Sequence, residues 1–125
     1  MTWDVRLVDE VAQWFLALQD SDEATANSVE TAIDTLVQQG PSLGRPLVDT
    51  IAGSSLANLK ELRPASRGRT EIRILFVFDP AQRVVLLVAG DKSREWGKWY
   101  RRNIPVAEAR YRMWLSGDYD DEVEP

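Results

Sequence analysis

Two apolar stretches separated by a single turn restrict this chain more than any other feature. Residues 70–79 (TEIRILFVFD) are rich in β-branched and aromatic side chains, and Val84-Val85-Leu86-Leu87-Val88-Ala89 is apolar on both faces. Between them, Asp79-Pro80-Ala81-Gln82 carries the residues of a tight turn. Together they predict a β-hairpin whose second strand, apolar on both faces, is central. That second run is also far short of the roughly 20 apolar residues a membrane helix requires.

The hairpin needs covering elements, and the rest of the chain supplies them. Trp3-Asp4-Val5-Arg6-Leu7 alternates with period two and predicts a first strand. Val8, Val11, Phe15 and Leu18 then repeat at helical spacing, with Trp14 beside the stripe. Asp20-Ser21-Asp22-Glu23 predicts the start of a second helix with Asp20 as N-cap, Ala26, Val29, Ile33, Leu36 and Val37 as its buried stripe, and Gly40-Pro41 as its stop. Residues 42–57 read as a loop and Asn58–Arg63 as a strand. After Gly90, Trp96, Trp99 and Tyr100 mark a helix face. Pro105 then opens a final helix that turns Ala107, Tyr111, Trp114 and Leu115 inward and ends at Gly117.

The order β-α-α-β-β-β-α(-α) predicts an α+β domain: a small twisted, mainly antiparallel sheet with helices packed on one face. One domain over residues 1–116 fits a chain of 125 residues, with residues 117–125 as an acidic, disordered solvated tail. Such a tail could fold back on basic residues elsewhere. No basic segment followed by an apolar one opens the chain, so the expected location is the cytoplasm.

Composition removes whole classes of chemistry. The chain has no Cys and no His, which excludes thiolate metal sites, cysteine nucleophiles, Ser-His-Asp triads and imidazole acid–base catalysis. Lys, Arg, Glu, Asp or Tyr must carry any reaction, and no metal or other cofactor is expected. The net charge of −5 hides a strong asymmetry. Residues 1–34 hold eight acids and one base, residues 35–115 fourteen bases and seven acids, and the remainder five acids. A polyanion responds to the local field of the basic region, so the overall acidity leaves RNA open as a partner.

Within that region the cations cluster. Lys60, Arg63, Arg67, Arg69 and Arg73 form one group; Lys92, Lys98 and their arginine neighbours form another, interleaved with Trp96, Trp99 and Tyr100. Cations beside stackable aromatics suit single-stranded RNA. The same aromatics at helical spacing also suit core anchors. Alternation sends Ile72, Ile74, Phe76 and Phe78 to the covered face, and Glu71, Arg73, Leu75 and Val77 to the other. If Leu62 points into the core, Glu61, Arg63 and Arg73 converge on that second face. On residues alone, the resulting carboxylate between guanidinium groups is as good a structural ion pair as a catalytic base.

Several short motifs in order carry a resemblance. Leu43-Gly44-Arg45-Pro46, Leu59-Lys60-Glu61-Leu62-Arg63-Pro64, Arg73-Ile74-Leu75-Phe76, Gly90-Asp91-Lys92-Ser93, Trp99-Tyr100 and Ile104-Pro105 resemble the HigB-type branch of the RelE/ParE toxin superfamily, the phage-derived form of type II toxin–antitoxin toxins. The resemblance covers nearly the whole domain. It implies a RelE-like fold and a ribosome-dependent mRNA endoribonuclease that works without metal, by attack of a ribose 2′-OH on the adjacent phosphorus. It also implies a cognate HigA-like helix-turn-helix antitoxin, the ribosome and mRNA as partners, and operator DNA reached only through the antitoxin. Carried over by position, Glu61 stands at the general base, Arg63 and Arg73 at the phosphate cations, Lys92 at a further cation or acid, and Tyr100 or Trp99 at a base-contacting aromatic. Relatives with a site His have no counterpart here. The superfamily also includes ParE-like gyrase poisons, and a catalytically inactive subunit of an operator complex is a third reading.

Overall fold

The computed structural model describes residues 2–66 and 68–119. Arg67, a candidate RNA contact, and residues 120–125 of the acidic tail lie outside them.

The central hairpin forms as its pattern predicts. Strand β4 (Ile72–Asp79) and strand β5 (Arg83–Asp91) pair antiparallel across the Asp79–Gln82 turn. The turn is closed by the Gln82 N–H donating to the Asp79 carbonyl at 3.0 Å. Strand β1 (Asp4–Leu7) lies parallel to β5, and β3 (Lys60–Leu62) runs antiparallel to β4. A further strand, β2 (Val48–Thr50), pairs with β3 inside the segment read as a loop. The sheet order is β1-β5-β4-β3-β2, so β5 and β4 are both interior.

Helices α1 (Asp9–Ser21) and α2 (Glu23–Gln39) form an acidic hairpin. The cap between them is Asp22, not Asp20: its carboxylate accepts the Thr25 N–H at 3.2 Å and the Thr25 hydroxyl at 2.6 Å. Asp20 lies in the last turn of α1, which runs on to Ser21, so the first non-helical residue able to cap α2 is Asp22. At the other end of α2, Gly40 has φ +61° and its missing side chain leaves the space that the Trp3 indole occupies. Trp3 packs edge-on to Phe78, whose ring meets Phe76, which ties α2 and β1 to the face predicted as covered.

The opposite face is covered as well, over part of its area, by α3 (Gly97–Leu115). Leu75 and Val77 are buried there along with Leu87. A bulge opposite Leu75 and Phe76 skips Leu87 in the pairing, and the Leu87 carbonyl instead accepts from Arg110 Nη1 at 2.9 Å. α3 is one helix where two were read, and it runs straight through Pro105. A proline inside a helix costs about 3 kcal/mol through its missing N–H and ring clash. Trp99, Ala107, Tyr111 and Trp114 nevertheless present one continuous packed stripe to the sheet, and that packing holds the helix together across the proline. Among the described residues no helix is long and apolar enough to cross a membrane. The described chain ends at Tyr119, whose hydroxyl donates to Glu10 at 3.0 Å, at the end of α3 opposite Tyr100.

Candidate active site at the Glu61 cluster

The half of the second face left beside the start of α3 gathers the charged residues. Glu61 pairs across the sheet with Leu75, so its side chain points to the α3 side, and Arg73 on β4 projects to the same side. Glu61 is only 3% exposed. Its Oε2 accepts from Arg63 Nη2 at 2.8 Å and Nε at 3.1 Å, and its Oε1 accepts the Tyr100 hydroxyl at 2.6 Å. Arg73 Nε stands 3.7 Å from the same Oε1. The sheet alternation therefore delivers Glu61, Arg63 and Arg73 to one place, and the first turns of α3 add Tyr100.

This geometry differs from a base open to solvent: Glu61 is an anchor on which the Arg63, Arg73 and Tyr100 side chains are oriented. Arg63 is held a second time by Asp49 of β2 at 3.0 Å, and Asp49 also pairs with Arg45 at 3.1 Å. Arg73 donates to the Ile72 carbonyl at 2.8 Å and to Glu71 at 3.3 Å. Its Nε is buried without a hydrogen-bond partner among the described residues. Leaving a buried donor unmade costs about 1–3 kcal/mol, and such groups concentrate where structure is kept for function.

Lys92 completes the group from the end of β5. Its Nζ lies 4.7 Å from the centroid of the Trp96 ring and 5.1 Å from that of Tyr100. Burial pulls its pKa below the usual lysine value, the Arg73 guanidinium adds to that, and Glu61 and Glu71 oppose it. Burial and the hydrogen bond to Glu61 push Tyr100 the other way, up to about 12. Tyr100 is thus a neutral donor at neutral pH, beside a lysine that gives up its proton more readily than usual. The Arg63 pKa is raised by its hydrogen bonds to Glu61.

The remaining candidates divide. Trp99 is 3% exposed, packs edge-to-face with Tyr100 and touches Gly90, so it is a core anchor and cannot offer a face to RNA. Trp96 is exposed and carries Lys92 on its ring. Lys60 alternates with Glu61 to the far face and donates to Thr50 at 3.2 Å, away from the cluster. Lys98 and Arg69 are exposed, and neither touches Glu61. Asp49 and Glu71, which hold the arginines in place, were not singled out from the sequence.

Gly90 lets the site close. It pairs with Arg73 across the sheet, and a Cβ there would stand 3.0 Å from Trp99 Nε1. Gly90→Val is expected to lift the first turn of α3 from the sheet, costing about 1–3 kcal/mol in overpacking. Urea denaturation with near-UV circular dichroism of the aromatic pair checks it, and a wild-type spectrum with an unmoved midpoint would count against this packing.

Comparison with known proteins agrees with this architecture. The family described as phage-derived protein Gp49-like matches residues 13–112. A Mycobacterium tuberculosis protein carrying the name toxin HigB3 is 48% identical over 115 residues, covering 92% of this chain and 96% of its own. A second, named toxin HigB2, is 45% identical over 109 residues, covering 87% of this chain; the match spans 53% of that longer protein. Among solved structures, a double-arginine mutant of the Escherichia coli toxin RelE in the free state matches with a TM-score of 0.57 at 8% identity, over 82% of this chain and 98% of that one, which is a likeness of fold. With the sheet order, the α1–α2 hairpin and the match over residues 13–112 together, the chain belongs to the phage-derived Gp49-like family of HigB-type toxins, built on a RelE-like fold.

Proposed function

We propose that this toxin is a ribosome-dependent mRNA endoribonuclease restrained by a cognate HigA-like antitoxin, through which alone it reaches operator DNA. The observation that carries the reading is the convergence of Arg73, Lys92 and Tyr100 on one buried carboxylate. It supplies what 2′-OH attack on a phosphodiester requires: a proton acceptor, cations for the pentacoordinate phosphorane and a proton donor. The 2′-OH proton passes to the Tyr100 oxygen as the Tyr100 proton passes to Glu61. Arg73, with Arg63 behind it, faces the phosphoryl oxygens, and the Lys92 ammonium gives its proton to the departing 5′-oxygen. The products are a 2′,3′-cyclic phosphate and a 5′-hydroxyl. The charge asymmetry adds support, since the basic stretch forms this face.

Lys92 sets the pH dependence. As the acid it must be protonated, and its lowered pKa brings the loss of that proton below the ordinary lysine range. Cleavage is therefore expected to fall as pH rises through that lowered value. Lys92→Arg, charged throughout, is expected to flatten the fall while cutting more slowly at every pH. A fall that persists unchanged in Lys92→Arg would remove Lys92 from this role.

The deciding experiment is induced expression of wild type beside Arg73→Ala with mapping of transcript 5′ ends. New codon-phased ends in wild type, lost in the variant, are expected. DNA breaks without RNA ends would mean a gyrase poison. A second reading, a subunit that binds without cutting, draws on the pairing of Arg63 and Arg73 with the protein's own carboxylates. Growth inhibition that is absent, or indifferent to Arg73→Ala, would favour it.

A further inference from the structure

The guanidinium groups of the Glu61 cluster are largely spoken for by the protein's own oxygens: Arg63 by Glu61 and Asp49, Arg73 by Glu71 and the Ile72 carbonyl. A nucleic-acid strand gains affinity from cations that exchange solvent counterions for phosphate, so the grip on RNA must lie elsewhere. A cavity of about 350 Å³ opens where β4 begins and β5 ends, lined by Arg69, Thr70, Asp91, Ser93 and Arg94. Arg69 and Arg94 are exposed, and among the described residues neither stands in an ion pair or hydrogen bond. Asp91 is the acid of the cavity; its Oδ1 is taken up by two backbone donors, the Glu71 N–H at 3.0 Å and the Ser93 N–H at 2.9 Å, it also bonds the Ser93 side chain, and it attracts the Arg94 guanidinium without forming a salt bridge with it. Those bonds fix the shape of the cavity floor. The Lys92 N–H donates to the Glu71 carbonyl at 3.0 Å, which sets the cavity directly beside the residue that carries the proposed acid.

We infer that this cavity is a second phosphate subsite, which holds the RNA phosphodiester neighbouring the one that is cut. The inference rests on the endoribonuclease reading and extends it outward along the strand. Two guanidinium forks, each able to bind two phosphoryl oxygens, line the cavity. Division of labour follows: the paired arginines orient the reacting phosphate and the unpaired ones retain the strand.

The test is fluorescence anisotropy with a labelled single-stranded RNA, 2′-O-methylated so that it cannot be cut, across a salt series. Arg69→Ala with Arg94→Ala is expected to weaken binding about 10-fold at low salt and to reduce the slope of log K against log salt by about 0.7, one phosphate contact on a single strand. Arg112→Ala, an exposed cation near the far end of α3, is expected to change neither. All three substitutions are at exposed positions, and an unchanged melting temperature confirms the fold. Wild-type RNA binding matched by the double variant would overturn the subsite while leaving the nuclease standing; if the double variant instead lost affinity for the antitoxin, the cavity would belong to a protein carboxylate. Wild type that binds RNA tightly yet yields no new transcript ends sinks the nuclease reading separately. Wild type that binds no RNA overturns the subsite, and the transcript ends alone then decide the nuclease reading.

Discussion

Glu61→Ala is expected to lower the free energy of unfolding by about 3–5 kcal/mol, the range for breaking a buried ion pair by removing one partner. The loss is large because three donors converge on one carboxylate that is almost wholly out of solvent. Without it, Arg73 keeps its Nε buried with the carboxylate 3.7 Å from it removed, and the Tyr100 hydroxyl loses its acceptor. Glu61→Gln is expected to cost less, since an amide oxygen can still accept from Arg63 or Tyr100 but cannot offset their charge. Urea denaturation of the two variants measures both. A solvent-facing base would behave differently: the midpoint would stay at the wild-type value and only cleavage would disappear. That outcome would overturn the role of Glu61 as the anchor of the cluster.

Tyr100→Phe removes a single oxygen and separates chemistry from stability more cleanly. Glu61 keeps both bonds from Arg63, so the fold is expected to lose only about 1 kcal/mol, the net worth of one hydrogen bond. Cleavage is expected to fall about 100-fold or more, because the route from the 2′-OH to Glu61 passes through that oxygen and positioned acid–base groups contribute at least that much. Single-turnover cleavage of ribosome-bound mRNA, read beside the melting temperature, gives the two numbers. Equal rates for the variant and wild type would place proton transfer elsewhere. Stability should also show the tyrosine at high pH. Its folded pKa of about 12 lies above the ordinary 10.0, so its contribution is complete below pH 10 and is lost as pH rises toward 12. Tyr100→Phe should remove that part of the alkaline decline.

Much of the fold and part of the site are written locally in the chain. The β4–β5 hairpin is legible because its residues satisfy the turn and both faces by themselves, and alternation alone carries Glu61 and Arg73 to a common side. β2 is not legible: three residues from Val48 to Thr50 become a strand because β3 offers them partners, a fact that no window around them contains. The unbroken α3 escapes notice for a related reason. Pro105 argues locally for a start, and only the packed stripe on either side of it overrules that signal. The depth of Glu61 depends on α3 lying across the sheet, which depends in turn on Trp99 seating against Gly90, two residues whose contact has no sequence signature. Trp99 itself could be read as anchor or platform until its burial decided the matter.

The pairing of β1 with β5 sets the order in which such a molecule can come into being. Asp4 finds its partner in Arg83, so about 80 residues must leave the ribosome before the opening strand has anything to join, and closing so long a loop carries an entropic cost that no early contact offsets. Tyr100 emerges later still. A nascent copy therefore holds its acids, cations and tyrosine apart until β5 and the first turns of α3 have been made, and the connectivity of the sheet sets the moment at which the Glu61 cluster assembles.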